Sequence, residues 1–349
     1  MTKIFDMVVV GSGASGSVCC DIFTSNGFNV CCVERGDWVD TEKVPSNYLA
    51  WESHKNRSFS FNPNKRCGPS DYPIDVSESP IDVANYNGVG GATVLYSGHY
   101  PRFHKSDFRT CSLDMVGVDW PICYEDLVPY YEANEIFLGV AGLSGDPAYS
   151  SNFSHLRGHL PLGIAGEKLI KALNRLGWHW WPSYSAILQH SQGHRKGCSM
   201  EGLCNTGCFN GAKGSADVTF MRKAISQGLD LRVNTIVSDL FFENGQVRGV
   251  STIGRDGIAS VIRAKKVVLA ANAIGTCRIL WDRKNGRFLG NSSGQIGKNF
   301  MMHPLGYVEG ILPGNNDACF GPQGSWLASH EFYESDPARD FKRGYSMHF

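Results

Sequence analysis

Residues 5–16 of this 349-residue chain read FDMVVVGSGASG, and a glutamate, Glu34, follows at the end of the next apolar run. Residues 5–10 are apolar apart from Asp6 and end in three β-branched valines, which predicts a strand buried on both faces of a parallel sheet. Residues 17–25 have the pattern of a helix, and residues 28–33 have that of a second strand. The order of strand, glycine loop, helix, strand and acid predicts a β-α-β unit that binds a dinucleotide.

Each glycine of the loop has a physical task in such a unit. Gly11 permits the tight turn, Gly13 lets a pyrophosphate approach the backbone, and Gly16 lets helix and strand pack closely. Phosphates would lie on the unpaired N–H groups at the start of the helix, and Glu34 would bind a ribose hydroxyl. The predicted nucleotide-binding residues are Gly11, Ser12, Gly13, Ala14, Ser15, Gly16, Glu34 and Arg35. The alternative is a glycine-rich turn that binds nothing, which leaves the acid at the strand end unexplained.

The composition argues against several other classes of protein. Lys plus Arg equals Asp plus Glu at 33 each, so no basic stripe for nucleic acid is expected. No apolar run approaches the roughly 20 residues that cross a bilayer. The N-terminus runs directly into the first strand, so we expect no signal peptide. These features predict a cytoplasmic or membrane-peripheral protein.

Further elements are predicted along the chain. Residues 263–271 read as another buried strand, followed by a helix that ends at Trp281. Short strands are predicted at residues 231–237, 240–242 and 247–253, with a hairpin turn at 243–246. Other predicted helices cover residues 167–176 and 216–227, and 120–131 read as a turn and then a helix.

Five segments in this order resemble the glucose–methanol–choline (GMC) family of FAD-dependent alcohol oxidoreductases. They are the N-terminal loop with Glu34, residues 87–93 (NGVGGAT), 120–132 (WPICYEDLVPYYE), 267–280 (VVLAANAIGTCRIL) and 294–304 (GQIGKNFMMHP). Within the family the chain is most similar to the flavoprotein subunits of gluconate and fructose dehydrogenases. The resemblance implies an α/β fold, with a Rossmann-like FAD-binding domain and an incomplete α+β substrate domain.

The resemblance also implies a division of the chain. Residues 1–135 would form the first part of the FAD-binding domain, and residues 215–310 its second part. Between them, residues 136–214 would hold an insertion with a cysteine loop, and residues 311–349 would begin a truncated substrate-binding domain.

Two further segments are expected at the cofactor by the same resemblance. Gly88, Gly90, Gly91 and Thr93 would pass under the flavin and its pyrophosphate, although an ordinary surface turn is the alternative. Ala271 and Asn272 would contribute backbone near the adenosine end. Some family members attach FAD through a His just after the second loop, where this chain has Val-Leu-Tyr at 94–96, so non-covalent FAD is expected.

Three cysteines, Cys198, Cys204 and Cys208, lie in a glycine-rich loop with the spacing C-x5-C-x3-C. Thiolates are soft ligands that suit iron–sulfur clusters, and a similar loop carries a 3Fe–4S cluster in some dehydrogenase-type relatives. Zinc with His194 as fourth ligand, a disulfide, or buried thiols without metal are the alternatives.

The catalytic residues stay unassigned. In the family a His, paired with a second His or an Asn near the C-terminus, takes the proton of the substrate hydroxyl. That pair is absent from this chain, which stops at Phe349. We therefore expect a C-terminally truncated chain with weak FAD binding and little activity by itself.

The resemblance implies that the family's reaction is oxidation of a sugar, sugar acid or other alcohol to a carbonyl. The electrons would pass to an acceptor subunit, either a haem protein or a quinone. The alternatives are a long-chain or other alcohol oxidase that reduces oxygen, and a non-catalytic FAD-binding remnant.

Overall fold

The computed structural model describes residues 3–39, 44, 59–79, 82–149, 153–311, 313–317, 320–322 and 326–349. Seven helices lie within them: α1 Ala14–Ser25, α2 Pro63–Arg66, α3 Thr110–Asp114, α4 Tyr124–Leu138, α5 Gly163–Leu176, α6 Phe220–Ser226 and α7 Asn272–Leu280. Short 3-10 turns occupy Gly91–Val94 and Lys105–Arg109.

The strands of the described residues fall into three sheets. In chain order they are β1 Ile4–Val10, β2 Val30–Val33, β3 Trp181–Pro182, β4 Asp230–Arg232, β5 Ile236–Glu243, β6 Gln246–Ile253, β7 Ala259–Leu269, β8 Trp281–Asp282, β9 Arg287–Phe288, β10 Leu327–Phe332 and β11 Tyr345–His348. The largest sheet has the order β4-β2-β1-β7-β6-β5. Strands β4, β2, β1 and β7 are parallel to one another, β6 pairs antiparallel with β7, and β5 pairs antiparallel with β6.

The chain divides into two compact units. The first comprises the described residues of 1–44, 52–95 and 215–310 and contains the large sheet and the β8-β9 hairpin. The second comprises the described residues of 96–214 and 311–349 and contains α3, α4, α5 and the antiparallel sheet β11-β10-β3. The α/β class expected from the sequence is confirmed, with a parallel core in the first unit.

Consecutive apolar residues in the central strands are buried because both faces of the large sheet are covered. Val8 and Val10 of β1 join one buried cluster, whereas Val9 between them joins the other. The second cluster continues into α1 and α6, through Cys20 and Met221. The adjacent apolar residues of β1 therefore all find a packed environment, as in parallel sheets generally.

One sequence-based strand is wrong. Residues 231–237 were expected to form a single strand, but they separate into the end of β4 and the beginning of β5, which lie at opposite edges of the large sheet. The chain leaves β4 through Asn234, whose backbone has the left-handed conformation (φ +51°) that interrupts an extended strand. Among the described residues, no helix is both long and apolar enough to cross a membrane.

Candidate functional site

The loop between β1 and α1 contains glycines of two different kinds. Gly11 has φ +94°, and a Cβ there would lie 2.5 Å from the carbonyl oxygen of Ala270 on the adjoining strand end. A Cβ on Gly16 would lie 1.9 Å from the carbonyl oxygen of Gly11. A Cβ on Gly13 would touch only the Cα of Gly91, at an ordinary 3.8 Å. The fold itself thus requires Gly11 and Gly16 to be glycines, whereas the lack of a side chain at Gly13 leaves space open.

That space belongs to a cavity of about 630 Å³ in the first unit. This is within the usual range of about 300–1,000 Å³ for ligand sites. Predicted residues that line it are Gly11, Gly13, Ala14, Ser15, Glu34, Arg35, Gly91, Thr93, Ala271 and Asn272. The N-terminal end of α1 opens onto the cavity without a side-chain cap, so its first N–H groups can serve an anion. Four predicted residues are absent from the lining: Ser12, Gly16, Gly88 and Gly90.

Glu34 ties the loop to the end of β2. Its Oε2 accepts hydrogen bonds from the Ser12 N–H (3.0 Å) and hydroxyl (2.7 Å), and its Oε1 accepts from the Gly36 N–H (2.9 Å). Burial raises the pKa of Glu34, and the hydrogen bonds from Gly36 and Ser12 oppose this rise. Ser12, which is fully buried, therefore acts through Glu34. The carboxylate still borders the cavity, with lone pairs to spare for a hydroxyl.

Positive charge dominates the cavity wall. Arg35, Arg278 and Arg283 line it together with the single carboxylate of Glu34. Even with Glu34 ionised, this leaves an excess of two positive charges, which matches the two negative charges of a diphosphate. The guanidinium groups of Arg35 and Arg278 lie over the ring of Tyr72, at 4.7 and 4.6 Å from its centroid. Burial, and next the charge of Arg278, lowers the pKa of Arg35.

The second glycine loop lies against the first. A Cβ on Gly91 would be 2.8 Å from the Cα of Gly13, so the two backbones are in close contact. The Thr93 hydroxyl donates to the Gly90 carbonyl (2.6 Å) and accepts from the Ala216 N–H (2.9 Å), which holds this loop in place. The second loop is therefore a wall of the nucleotide cavity, and Thr93 positions that wall.

Sequence reasoning missed several residues of this cavity. Tyr72 and Asn85 both line it, and the Tyr72 hydroxyl and the Asn85 Nδ2 are buried with no hydrogen-bond partner among the described residues. Buried polar atoms in folded proteins are almost always paired, so these two are available to a ligand. Common residue types in a segment of weak periodicity offer no sequence signal that would have found them. A polar, cationic cradle of this size with open backbone at Gly13 fits the ADP half of FAD.

The three-cysteine loop lies in the second unit. No disulfide forms at Cys198, Cys204 or Cys208, so the disulfide alternative does not hold. Cys204 belongs to a small apolar cluster with Ile187, and Cys198 and Cys208 pack against that cluster. Burial raises the pKa of Cys198 to about 11. The buried Lys213 donates to the carbonyl oxygens of Cys204 and Tyr96.

The arrangement of the three thiols argues against the zinc alternative. Around one tetrahedral zinc, bonds of about 2.3 Å would bring thiolates within about 3.8 Å of each other. The cysteine sulfurs do not form a set within 4.8 Å, and His194 does not join one, in the part of the chain that the structure describes.

One group in the second unit does bring ligand-type atoms within 4.8 Å, namely Asp146, His179 and His330. The Nδ1 of His179 accepts the backbone N–H of His330 (3.0 Å), so the ring proton is on Nε2 and is donated to Asp146 (2.9 Å). Both ring nitrogens of His179 are therefore engaged within the protein, which leaves neither of them for a metal ion.

Known proteins resemble this chain over most of its length. Residues 5–305 match the family model described as GMC oxidoreductase. A 2-methyl-1,2-propanediol dehydrogenase of Mycolicibacterium austroafricanum is 35% identical, over 98% of this chain and 63% of its own length. Paromamine 6'-oxidase of Streptomyces fradiae is 30% identical, over 89% of this chain and 56% of its own length. The fructose dehydrogenase large subunit of Gluconobacter japonicus is 25% identical, over 86% of this chain and 58% of its own length.

A solved structure supports the fold alone. Pyridoxine 4-oxidase from Mesorbium loti superposes with a TM-score of 0.51 at 20% identity, covering 79% of this chain and 51% of its own. The chain thus spans between about half and two-thirds of the length of these similar proteins.

Proposed function

The chain belongs to the GMC oxidoreductase family, and from that premise we propose that it binds FAD non-covalently and serves in the oxidation of an alcohol group to a carbonyl. The substrate would be a sugar, sugar acid or polyol, with the electrons passed to a carrier. The observation that carries the proposal is the cationic cavity at the N-terminal end of α1, with its open backbone at Gly13.

The residues of the first unit would divide the work of holding the cofactor. The N–H groups at the start of α1 and the guanidinium groups of Arg278 and Arg283 would neutralise the diphosphate. Glu34 would accept a ribose hydroxyl through its remaining lone pairs while Ser12 and Gly36 keep the carboxylate in place. When bound, FAD supplies the hydride acceptor for the carbinol carbon. No base for the hydroxyl proton is assigned among the described residues.

The names of the relatives support a substrate that carries hydroxyl groups. One matched protein is named for a small diol and another for fructose. The word subunit in the name of the second supports an acceptor partner, either a haem protein or a quinone. Oxidases are also among the matches, so oxygen is the competing acceptor.

The proposal is tested first by titrating the purified chain with FAD and following the visible flavin spectrum in the presence of free cofactor, because this chain alone is expected to bind FAD weakly. A saturable spectral change is expected, and acid precipitation should release all of the flavin into the supernatant; flavin that stays with the precipitate would contradict non-covalent binding. A titration without any saturable change would contradict the proposal as a whole.

Turnover separates the candidate functions. Reduction of a dye or quinone by a diol or sugar, without oxygen consumption, is expected of a dehydrogenase. Oxygen consumption with peroxide formation would favour the oxidase, as the match to paromamine 6'-oxidase suggests. Bound flavin that no polyol reduces would favour a non-catalytic FAD-binding protein.

We propose further that Cys198, Cys204 and Cys208 hold a 3Fe–4S cluster. Three thiols on one loop, without a disulfide and with sulfurs that do not all lie within 4.8 Å of one another, support a polynuclear centre over zinc. Anaerobic reconstitution with iron and sulfide should yield an EPR signal of the oxidised cluster. A chain that takes up no iron under these conditions would show that the loop is metal-free.

A further inference from the structure

Asn85 has a buried side-chain amide whose oxygen is hydrogen-bonded, whereas its NH₂ group is not, among the described residues. The residue is 8% exposed and lines the nucleotide cavity. Its backbone is anchored on both sides, because its N–H donates to the Phe61 carbonyl (3.0 Å) and its carbonyl accepts from Arg66 Nη2 (2.8 Å). The side chain therefore projects from a fixed point in the wall.

A chain of hydrogen bonds decides which end of the Asn85 amide faces the ligand. The Gly275 N–H can only donate, so the Asn272 atom that it meets at 2.9 Å must be the acceptor Oδ1. The other end of the Asn272 amide, Nδ2, is then the donor that meets Asn85 at 3.1 Å, so Asn85 must offer its Oδ1. This leaves the Asn85 Nδ2, a donor only, without a partner among the described residues.

We propose that Asn85 is a ligand-binding residue of the cavity, with its Nδ2 donating to an acceptor oxygen in the ADP half of FAD, and that Asn272 is the residue that orients it. The inference rests on the proposed function. A buried N–H donor with a fixed direction lowers the stability of the fold unless an acceptor forms a hydrogen bond with it. The excess positive charge of the same cavity selects a ligand rich in acceptor oxygens, as a diphosphate is.

Asn272 is suited to this positioning role by its backbone. It has φ +57° at the start of α7, a conformation that Asn and Gly adopt more readily than other residues. Its amide accepts from Gly275 at the helix end and donates to Asn85 at the same time. Replacing it by glycine therefore removes the amide without straining the chain.

The test is a titration of the purified chain with FAD, ADP and FMN, followed by flavin fluorescence or calorimetry. Asn85→Asp keeps the acceptor towards Asn272 and replaces the donor with a second oxygen; it should weaken FAD and ADP at least about tenfold. Asn85→Ala, which adds no charge, should weaken both about fivefold. Asn291→Asp is the matched control, because the side-chain oxygen of Asn291 accepts from Ile296 outside the cavity; its Kd values should not change.

Asn272→Gly tests the orienting role. It should weaken FAD about threefold or more in the original chain, yet cause no further loss in the Asn85→Asp background. Equal losses in both backgrounds would mean that Asn272 acts only on structure and would overturn its part of the inference.

The outcomes separate this inference from the proposed function. If the unaltered chain binds no FAD, the proposed function fails and the inference with it. If it binds FAD while Asn85→Asp and Asn85→Ala bind FAD and ADP within twofold of it, the inference alone is overturned. A loss confined to FMN would also overturn it, because FMN lacks the adenosine and one of the two phosphates of the ADP half. Thermal unfolding of each apo variant identifies any variant that is not folded. If Asn85→Asp does not fold, the Kd values of Asn85→Ala decide whether Asn85 binds the ligand.

Discussion

Replacing Gly13 by alanine should separate the demands of the fold from those of the cofactor. The new methyl would meet only the Cα of Gly91, at 3.8 Å, and the backbone of Gly13 has φ −69°, which alanine adopts freely. Alanine is a poorer N-cap than glycine by several tenths of a kcal/mol, but it restricts the unfolded chain, which returns about 0.4–1 kcal/mol. The free energy of unfolding of the apo chain should therefore change by less than about 0.5 kcal/mol.

Binding should respond very differently, since the same methyl enters the space where a diphosphate would approach the backbone. Overfilling a packed site costs about 1–3 kcal/mol, which corresponds to roughly a 5- to 150-fold rise in the Kd for FAD. The assay is calorimetric or fluorescence titration of Gly13→Ala with FAD, alongside apo thermal unfolding. An unchanged Kd would refute the reasoning, because it would mean that no ligand comes close to Gly13.

Gly16→Ala is the matched comparison. Its methyl would lie 1.9 Å from the Gly11 carbonyl oxygen and 3.2 Å from the Ala270 side chain. Helix α1 would have to move away from β1, so apo stability should fall by more than about 3 kcal/mol, as for severe core changes. A Gly16→Ala chain as stable as the original would show that the close contact does not constrain the loop.

Three further outcomes are expected. Glu34→Gln puts an NH₂ group where the carboxylate now accepts a hydrogen bond from the N–H of Ser12 or Gly36. The free energy of unfolding of the apo chain should therefore fall by about 1–3 kcal/mol, and FAD should bind more weakly. An unchanged melting temperature would contradict the anchoring role of Glu34. Burial lowers the pKa of His99 to about 3 and of His330 to about 4, so the unfolded chain, with ordinary values near 6.5, takes up protons first. The contribution of these histidines to the free energy of unfolding is therefore complete above pH 6.5 and should fall towards pH 4 by up to about 1.4 kcal/mol per pH unit for each histidine. Denaturant unfolding at several pH values checks this, and His330→Gln should lose less stability per pH unit than the original chain. Cys204→Ser should abolish the EPR signal of anaerobically reconstituted protein while flavin binding persists; an unaltered signal would exclude Cys204 as a ligand.

The β-α-β unit at the N-terminus could be predicted in detail because its signals are local. A strand buried on both faces needs uninterrupted apolar residues, and a glycine is required wherever a Cβ would strike backbone. A Cβ on Gly16 would strike the carbonyl oxygen of Gly11, and a Cβ on Gly11 would strike that of Ala270 at the end of the adjoining strand. These steric limits explain the glycine spacing in residues 5–16. Family resemblance then supplied the expectation of FAD, which the family match supports.

Local patterns failed where pairing is decided across the molecule. Residues 231–237 look like one strand, but they begin at one edge of the large sheet and end at the other. The first part pairs as β4 with β2, about 200 residues earlier in the chain, whereas the second part pairs as β5 with β6 through the hairpin. Nothing in the seven residues themselves records those partners.

The sequence by itself therefore determined the class of fold, the family and the loop that would receive a diphosphate, since short-range steric demands leave a readable pattern. Only the tertiary structure decided that Tyr72, Asn85 and Arg278 share the cavity with that loop. It also decided that the Asn85 amide must present its donor end, because the direction is set by Asn272, 187 residues away in the chain. Hydrogen-bond direction depends on which groups meet in space, and that is a property of the folded chain.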